Sequence, residues 1–244
     1  MNLKTRLEHY FKIRKMRRSK CHIWIVPGGP DDKGVGYIQN YKVGTRSIRK
    51  ALTFHLKQQD ADQESLTYDD ITHEIIEDAD EAYSTFCRPD EIRIKWPETH
   101  LFSFVRNPLG RLYSSYTNKV VDAVKEGRRL PFAAWGVKAD TTFDEFVRIV
   151  AETPDDKSER HFRSQSWFLS LNRKLFVDEI GKIENFQEDW ESLRQRYGLP
   201  SIPHVNRSSS NKVDYRDFYS KESYRLTCER FRDDIELLGY ENEV

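Results

Sequence analysis

The stretch Leu101-Phe102-Ser103-Phe104-Val105-Arg106-Asn107-Pro108-Leu109-Gly110-Arg111-Leu112-Tyr113-Ser114 decides the fold. Leu101 to Val105 is a dense apolar run, read as a buried parallel strand. A cation follows at once. Asn107 and Pro108 come next, the pairing favoured at an N-cap and the first helical position. The unit is strand, tight turn, helix, with the helix expected to reach about Lys125. Arg106 stands where the strand ends, placed for a two-pronged contact with a phosphate. Ser114 and Arg111 share a stripe of the helix that follows. Ser114 reads as a phosphate-binding hydroxyl or a small packing residue, and Arg111 reads equally well as structural.

A second unit of the same kind precedes it. Gly34 to Asn40 reads as a strand, and Thr45 to about Lys57 as a helix with Ile48, Leu52 and His55 or Leu56 on one face. Between them runs Lys42-Val43-Gly44-Thr45-Arg46-Ser47. A phosphate here would meet backbone N–H groups at a helix start. Gly44 allows a tight turn and close approach. Thr45 and Ser47 add hydroxyls, and Lys42 adds a mobile charge. The Gly-x-x-x-x-Gly-Lys-[Ser/Thr] loop of ordinary kinases and GTPases does not occur, which disfavours that class. A plain solvent-facing turn is the competing reading of this stretch. Two anion-binding turns in one chain predict a ligand with two phosphate-bearing ends.

The remaining pattern alternates strands and helices, predicting a mostly parallel sheet covered on both faces. Cys21 to Val26 reads as a strand, Tyr68 to Thr85 as a helix and Arg93 to Trp96 as a short strand. Residues 126–140 read as a long loop over the active face, Thr142 to Ala151 as a helix and residues 153–160 as a charged turn. Lys174 to Ile180 reads as a strand and Asn185 to Tyr197 as a helix. Residues 201–213 read as a polar loop and Ser220 to Leu238 as the last helix.

At 244 residues the chain suits one α/β domain with an added arm. We expect residues 1–20 to be a basic helical arm and residues 21–244 a single domain. The arm carries eight Lys or Arg against one Glu, so peripheral contact with an anionic surface is open to it. Over the whole chain 40 basic and 40 acidic residues cancel, which argues against nucleic acid as a partner. No apolar run approaches the roughly 20 residues of a membrane-spanning helix, and no signal-peptide pattern is present. Cys21, Cys87 and Cys228 are scattered and odd in number, without metal spacing. Reduced thiols in a cytoplasmic protein are the expectation.

The two motifs together resemble those of sulfotransferases that use 3′-phosphoadenosine 5′-phosphosulfate, of the Golgi carbohydrate type and its bacterial relatives. Lys42 to Ser47 resembles the family's 5′-phosphosulfate loop. Phe104 to Tyr116 resembles its 3′-phosphate motif, Phe-Val-Arg-(Asp/Asn)-Pro-x-x-Arg-Leu-x-Ser-x-Tyr. His161-Phe162-Arg163-Ser164-Gln165-Ser166 is similar to its His-Trp-x-Pro-Gln block. Ile180 to Asn185 with Asp189, and Asp233 to Tyr240, resemble two later segments. Phe162 and Ser164 replace the usual Trp and Pro. The cysteines that many Golgi members carry after the His block are missing, as is their N-terminal anchor, which favours a soluble, bacterial-type enzyme.

The resemblance implies a three-layer sulfotransferase fold, similar to that of P-loop NTPases. It also implies a nucleotide sulfate donor, no required metal and a saccharide-type acceptor hydroxyl. Donor binding then falls to Lys42, Val43, Gly44, Thr45, Arg46, Ser47, Arg106, Ser114 and, from the late loop, Arg207. Lys42 is the expected catalytic cation. His161 is the first choice for the base, with His73-Glu74 the runner-up; a carboxylate such as Glu74 or Glu184 is a further candidate, though Glu184 reads rather as capping or ordering the helix from Asn185. Aromatics near the expected mouth, Phe132, Trp135 and Trp167, read either as sugar-stacking platforms or as core. A kinase-like phosphotransferase and a non-catalytic polyanion-binding module are the competing classes.

Overall fold

The computed structural model describes residues 21–28, 33–59, 67–68, 71, 84–202 and 214–244. The expected basic arm, most of the Tyr68–Thr85 helix, His73-Glu74, and the loop carrying Arg207 lie outside them.

Strand β1 (Cys21–Val26) is followed by β2 (Val35–Ile38) and helix α1 (Thr45–Gln59). Then come β3 (Ser84–Cys87), α2 (Pro89–Lys95) and β4 (His100–Val105). Helix α3 (Pro108–Tyr116) continues through a π turn at Thr117–Val121 into α4 (Asp122–Lys125). Next are α5 (Phe143–Ala151), α6 (Ser166–Leu169), the short hairpin β5 (Ser170–Leu171) and β6 (Lys174–Leu175), and β7 (Glu179–Lys182). Helices α7 (Phe186–Tyr197), α8 (Lys221–Arg230) and α9 (Arg232–Leu237) complete the described chain.

The main sheet has the order β3-β1-β2-β4-β7. It is mixed, which corrects the mostly parallel expectation: β1 is antiparallel to both its neighbours, and only the pairs β2–β4 and β4–β7 are parallel. Apolar runs report burial on both faces but carry no sign of strand direction. The parallel part nonetheless governs function. Register pairs Tyr37 with Phe102 and Phe104 with Gly181. The carboxyl ends of β2, β4 and β7 therefore open on the same edge, where ligands of α/β sheets bind.

Alternation along the strands splits the core between the two faces. Trp24, Tyr37, Phe102 and Phe104 pack with Ile48 and Leu52 of α1 and Trp190 and Leu193 of α7. Ile23, Ile38, Leu101 and Val105 pack on the other side with Phe168, Leu169, Ile235 and Tyr240. Each such buried Leu, Ile or Phe stabilises the fold by about 1.5–3 kcal/mol. Gly181 is needed in β7, because a Cβ there would fall 2.5 Å from the Phe104 ring. A third cluster of Leu112, Phe132, Phe143, Phe146 and Phe162 roots α3 and α5.

Three local expectations are corrected. Arg93–Trp96 is not a strand but lies largely in α2. Pro89, Asp90 and Glu91 make a strong helix start, and Glu91 accepts the Arg88 N–H at 3.4 Å. The Ile92/Ile94 alternation that reads as a strand leaves Ile94 79% exposed. The Lys174–Ile180 strand is two pieces, because Asp178 leaves the hairpin to accept the Leu101 N–H at 2.7 Å and start β7. The last helix begins after Ser220, whose hydroxyl accepts the Ser223 N–H at 3.1 Å, but breaks at Phe231, φ −109°. Ser84 and Thr85, expected to end a helix, stand in β3.

Candidate donor and transfer site

Residues 39–44 turn from β2 into α1 with two residues in the left-handed region, Lys42 at φ +68° and Gly44 at φ +75°. Val43 between them is fully buried and anchors the loop in the core. Gly44 has two reasons to be glycine: its φ, and a Cβ that would lie 3.2 Å from Ile183 Cδ1. A lysine held at positive φ costs about 1 kcal/mol, strain of the kind found at working loops. The Gly44 carbonyl accepts the Ser47 and Ile48 N–H groups at 2.9 and 3.2 Å. Among the described residues nothing accepts the N–H groups of Val43, Gly44, Thr45 or Arg46. These open donors point to an anion at the start of α1. The Thr45 hydroxyl is spent inside the loop, donating to the Asn40 carbonyl at 2.5 Å. Arg46 is exposed and Ser47 half-buried.

At the end of the neighbouring strand, Asn107 caps α3 by accepting the Leu109 and Gly110 N–H groups at 3.0 and 3.4 Å. Arg106 is clamped through its backbone by Gln165. The Gln165 Oε1 accepts the Arg106 N–H at 2.9 Å, and its Nε2 donates to the Arg106 carbonyl at 2.8 Å. The Arg106 guanidinium is half-buried and has no ion-pair partner among the described residues. Burial lowers its pKa, with Glu184 partly opposing. Ser114 is half-buried, with a hydroxyl that no described group engages.

Lys42 is also half-buried without an ion pair among the described residues. Burial first, then the charges of Lys119 and Arg106, bring its ammonium down to about 8. Lys42, Lys119 and Arg106 thus repel one another, only partly offset by Asp122, Glu159 and Glu184, and a bound anion would relieve the rest. The sign for ligand binding follows. Below about pH 8 Lys42 is charged and able to attract an anion; above it the free protein has lost that charge. Affinity for 3′-phosphoadenosine 5′-phosphate is expected to weaken as pH rises through 8, with proton uptake on binding near that pH. Calorimetry in buffers of different ionisation enthalpy reads the uptake, and Lys42→Ala should abolish it.

The groups that hold this arrangement come from far along the chain. Arg111 is fully buried and donates to the carbonyls of Tyr41 at 2.9 Å, Arg163 at 2.8 Å and Arg160 at 3.4 Å. It ties the first loop to the second motif and the His161 block, which settles its reading as structural. Burial lowers its pKa to about 10. Asp234, also fully buried, accepts the N–H groups of Gln165 and Ser166 at 2.8 and 2.7 Å and the Ser166 hydroxyl at 2.7 Å. Contrary to the expectation, no side chain caps the helix from Asn185, and Glu184 turns elsewhere. It accepts the Asn107 N–H at 2.8 Å and the Tyr240 hydroxyl at 3.1 Å, fixing the start of α3.

His161 lies beside the first loop, its ring 5.3 Å from that of Tyr41, and its carbonyl accepts the Ser115 hydroxyl at 2.9 Å. Burial lowers its pKa, only partly offset by Glu159, so the imidazole is neutral near pH 7 and able to take a proton. Of the candidate platforms, Phe132 is fully buried core. Trp135 donates its Nε1–H to the Lys157 carbonyl at 2.8 Å, and Trp167 is 40% exposed.

Sequence reading missed Lys119, Glu159, Gln165 and Asp234 as parts of the site. Lys119 had a signal, since Arg111, Ser115 and Lys119 follow at steps of four along one stripe. Gln165 and Asp234 lie in two of the blocks quoted above, but their contacts reach across 59 and 69 residues, and no local pattern gives their roles.

A family model described as the sulfotransferase family matches residues 31–241. Human carbohydrate sulfotransferase 14 is 29% identical over 139 residues, covering 53% of this chain and 36% of the human protein. The mouse protein of that name gives the same figures, and the zebrafish one is 26% identical over 136 residues. The matched region thus spans about a third, 36%, of the length of these relatives. They are vertebrate proteins, so the bacterial-type expectation gains no support from them. No solved structure matches the chain.

Proposed function

Because the chain belongs to the sulfotransferase family, we propose that it transfers a sulfuryl group from 3′-phosphoadenosine 5′-phosphosulfate to a carbohydrate hydroxyl. One observation carries this reading. Two cations without ion-pair partners among the described residues, Lys42 and Arg106, stand after adjacent parallel strands, each at the start of a helix. The open N–H groups of residues 43–46 and Lys42 suit the 5′-phosphosulfate end. Arg106 and Ser114 suit the 3′-phosphate. Arg207 joins them on its sequence position alone.

When bound, the donor supplies the sulfuryl group and takes leaving charge on its bridging oxygen. Lys42 and the loop N–H groups meet that charge as it grows. His161 takes the proton of the attacking hydroxyl. Cationic side chains suffice for this, so the reaction is expected to run in EDTA. No helix of the described residues is long and apolar enough to cross a membrane. A cytoplasmic location belongs to the proposal and draws its support from three free thiols. Contact of residues 1–20 with an anionic surface rests on their charge.

Radiolabelled donor incubated with a panel of neutral and acidic oligosaccharides tests the function. Label should pass to a glycan in step with release of 3′-phosphoadenosine 5′-phosphate. Transfer of phosphate from ATP instead, or nucleotide binding with no transfer to any saccharide, would overturn it.

A further inference from the structure

Glu159 lies two residues before His161 and turns back on it. Its Oε2 accepts the His161 backbone N–H at 2.6 Å, and its two carboxylate oxygens lie 2.8 and 3.1 Å from the ring Nδ1. Ser115 holds the same residue from the helix side through its carbonyl. The rings of Tyr41 and Phe132 flank the imidazole at 5.3 and 6.2 Å. The charged groups facing it are Glu159 and Arg160 from its own loop and Lys119 from the π turn. Glu159 itself is held ionised: burial raises its pKa, but the bonds from His161 outweigh that. Arg160 adds a contact at 3.6 Å.

A carboxylate at Nδ1 selects the tautomer with its proton there and leaves the lone pair on Nε2. We propose that Glu159 is a positioning residue for sulfuryl transfer, holding His161 as the Nδ1–H tautomer so that Nε2 is the base. This rests on the function proposed above. In the step, the acceptor oxygen bonds to sulfur while the bond from sulfur to the bridging oxygen breaks. The electron pair of that bond leaves with the 5′-phosphate, beside Lys42. The acceptor proton passes to Nε2, giving an imidazolium whose Nδ1–H is already paired with Glu159. Lys119 and Arg160 oppose protonation beforehand and keep the base free.

The test is NMR of isotope-labelled histidine nitrogens, with His161→Gln identifying the signal, in wild type, Glu159→Gln and Glu159→Asp. Wild type should show the neutral Nδ1–H tautomer in large excess. Glu159→Gln removes the charge that favours imidazolium, so its titration should move to lower pH by about one unit. The acid limb of kcat/KM should move the same way, and kcat should fall about 10-fold or more, part of what a base contributes. Affinity for 3′-phosphoadenosine 5′-phosphate should stay within about twofold, and Glu159→Asp should keep the limb near its wild-type place. Loss of folded protein would lower the limb without moving it. A proton on Nε2 in neutral wild type, or an unmoved titration and acid limb in Glu159→Gln, overturns the proposal. Wild-type transfer persisting in His161→Gln also overturns it. A protein with the Nδ1–H tautomer that binds no nucleotide overturns the sulfotransferase reading instead.

Discussion

Lys42→Ala is expected to lower kcat by about 100- to 1,000-fold, the usual loss when one preorganised stabiliser of developing charge is removed. Its place explains why. The β2–α1 turn holds Lys42 at φ +68°, directly before the N–H groups of residues 43–46, which have no acceptors among the described residues. The ammonium is depressed to about 8 by burial, Lys119 and Arg106. Charge appearing on a bridging oxygen relieves that repulsion, so the interaction is stronger in the transition state than with bound donor. Donor affinity should fall far less, because the loop N–H groups and Arg106 remain. Single-turnover rates and calorimetric donor affinities on one preparation separate the two. A collapse in affinity with kcat unchanged would make Lys42 a ground-state anchor.

Asp234→Ala is expected to destabilise the fold by about 3 kcal/mol or more. The carboxylate is fully buried and accepts from two backbone N–H groups and a hydroxyl. Truncation leaves three buried donors unmet, each costing about 1–3 kcal/mol if nothing replaces the acceptor. It also removes the charge that most offsets the burial of Arg111. With domains stable by only about 5–15 kcal/mol, this is a large share. The melting temperature should fall by roughly 6–12 °C. Gln165 would lose its own anchor, so the clamp on the Arg106 backbone should loosen and nucleotide affinity fall with it. Asp234→Asn keeps one acceptor and should lose less. A shift under about 1 kcal/mol by urea titration in Asp234→Ala would show that the relay from α9 is not what holds the site.

The two turns proposed to bind phosphate were legible as turns in sequence because their signals are local. An apolar run, a cation, an Asn-Pro start or a Lys-x-Gly turn all lie within a dozen residues. The cap at Asn107 was readable for the same reason. Strand order was not, because β1 lies reversed between β2 and β3 and both orientations bury the same residues. Helix α2 was misread because Ile92 and Ile94 alternate like a strand, while the Pro-Asp-Glu start outweighs them. Among the residues of the proposed site, Lys42, Gly44, Arg106 and His161 could be named from motifs. The contacts of their supports could not be read. The Asp234–Gln165–Arg106 relay joins three distant segments, and Arg111 spends all its recorded bonds on carbonyls brought near only by folding.

The central claim is a site built for a nucleotide with two separate phosphates. Calorimetry in EDTA, comparing 3′-phosphoadenosine 5′-phosphate with adenosine 5′-phosphate in wild type and Arg106→Ala, tests it most directly. Wild type should bind the first at least ~30-fold more tightly, the equivalent of about 2 kcal/mol for one buried charged contact. In Arg106→Ala that preference should vanish while affinity for adenosine 5′-phosphate holds. Equal binding of the two by wild type, or a preference that survives in Arg106→Ala, would contradict the account.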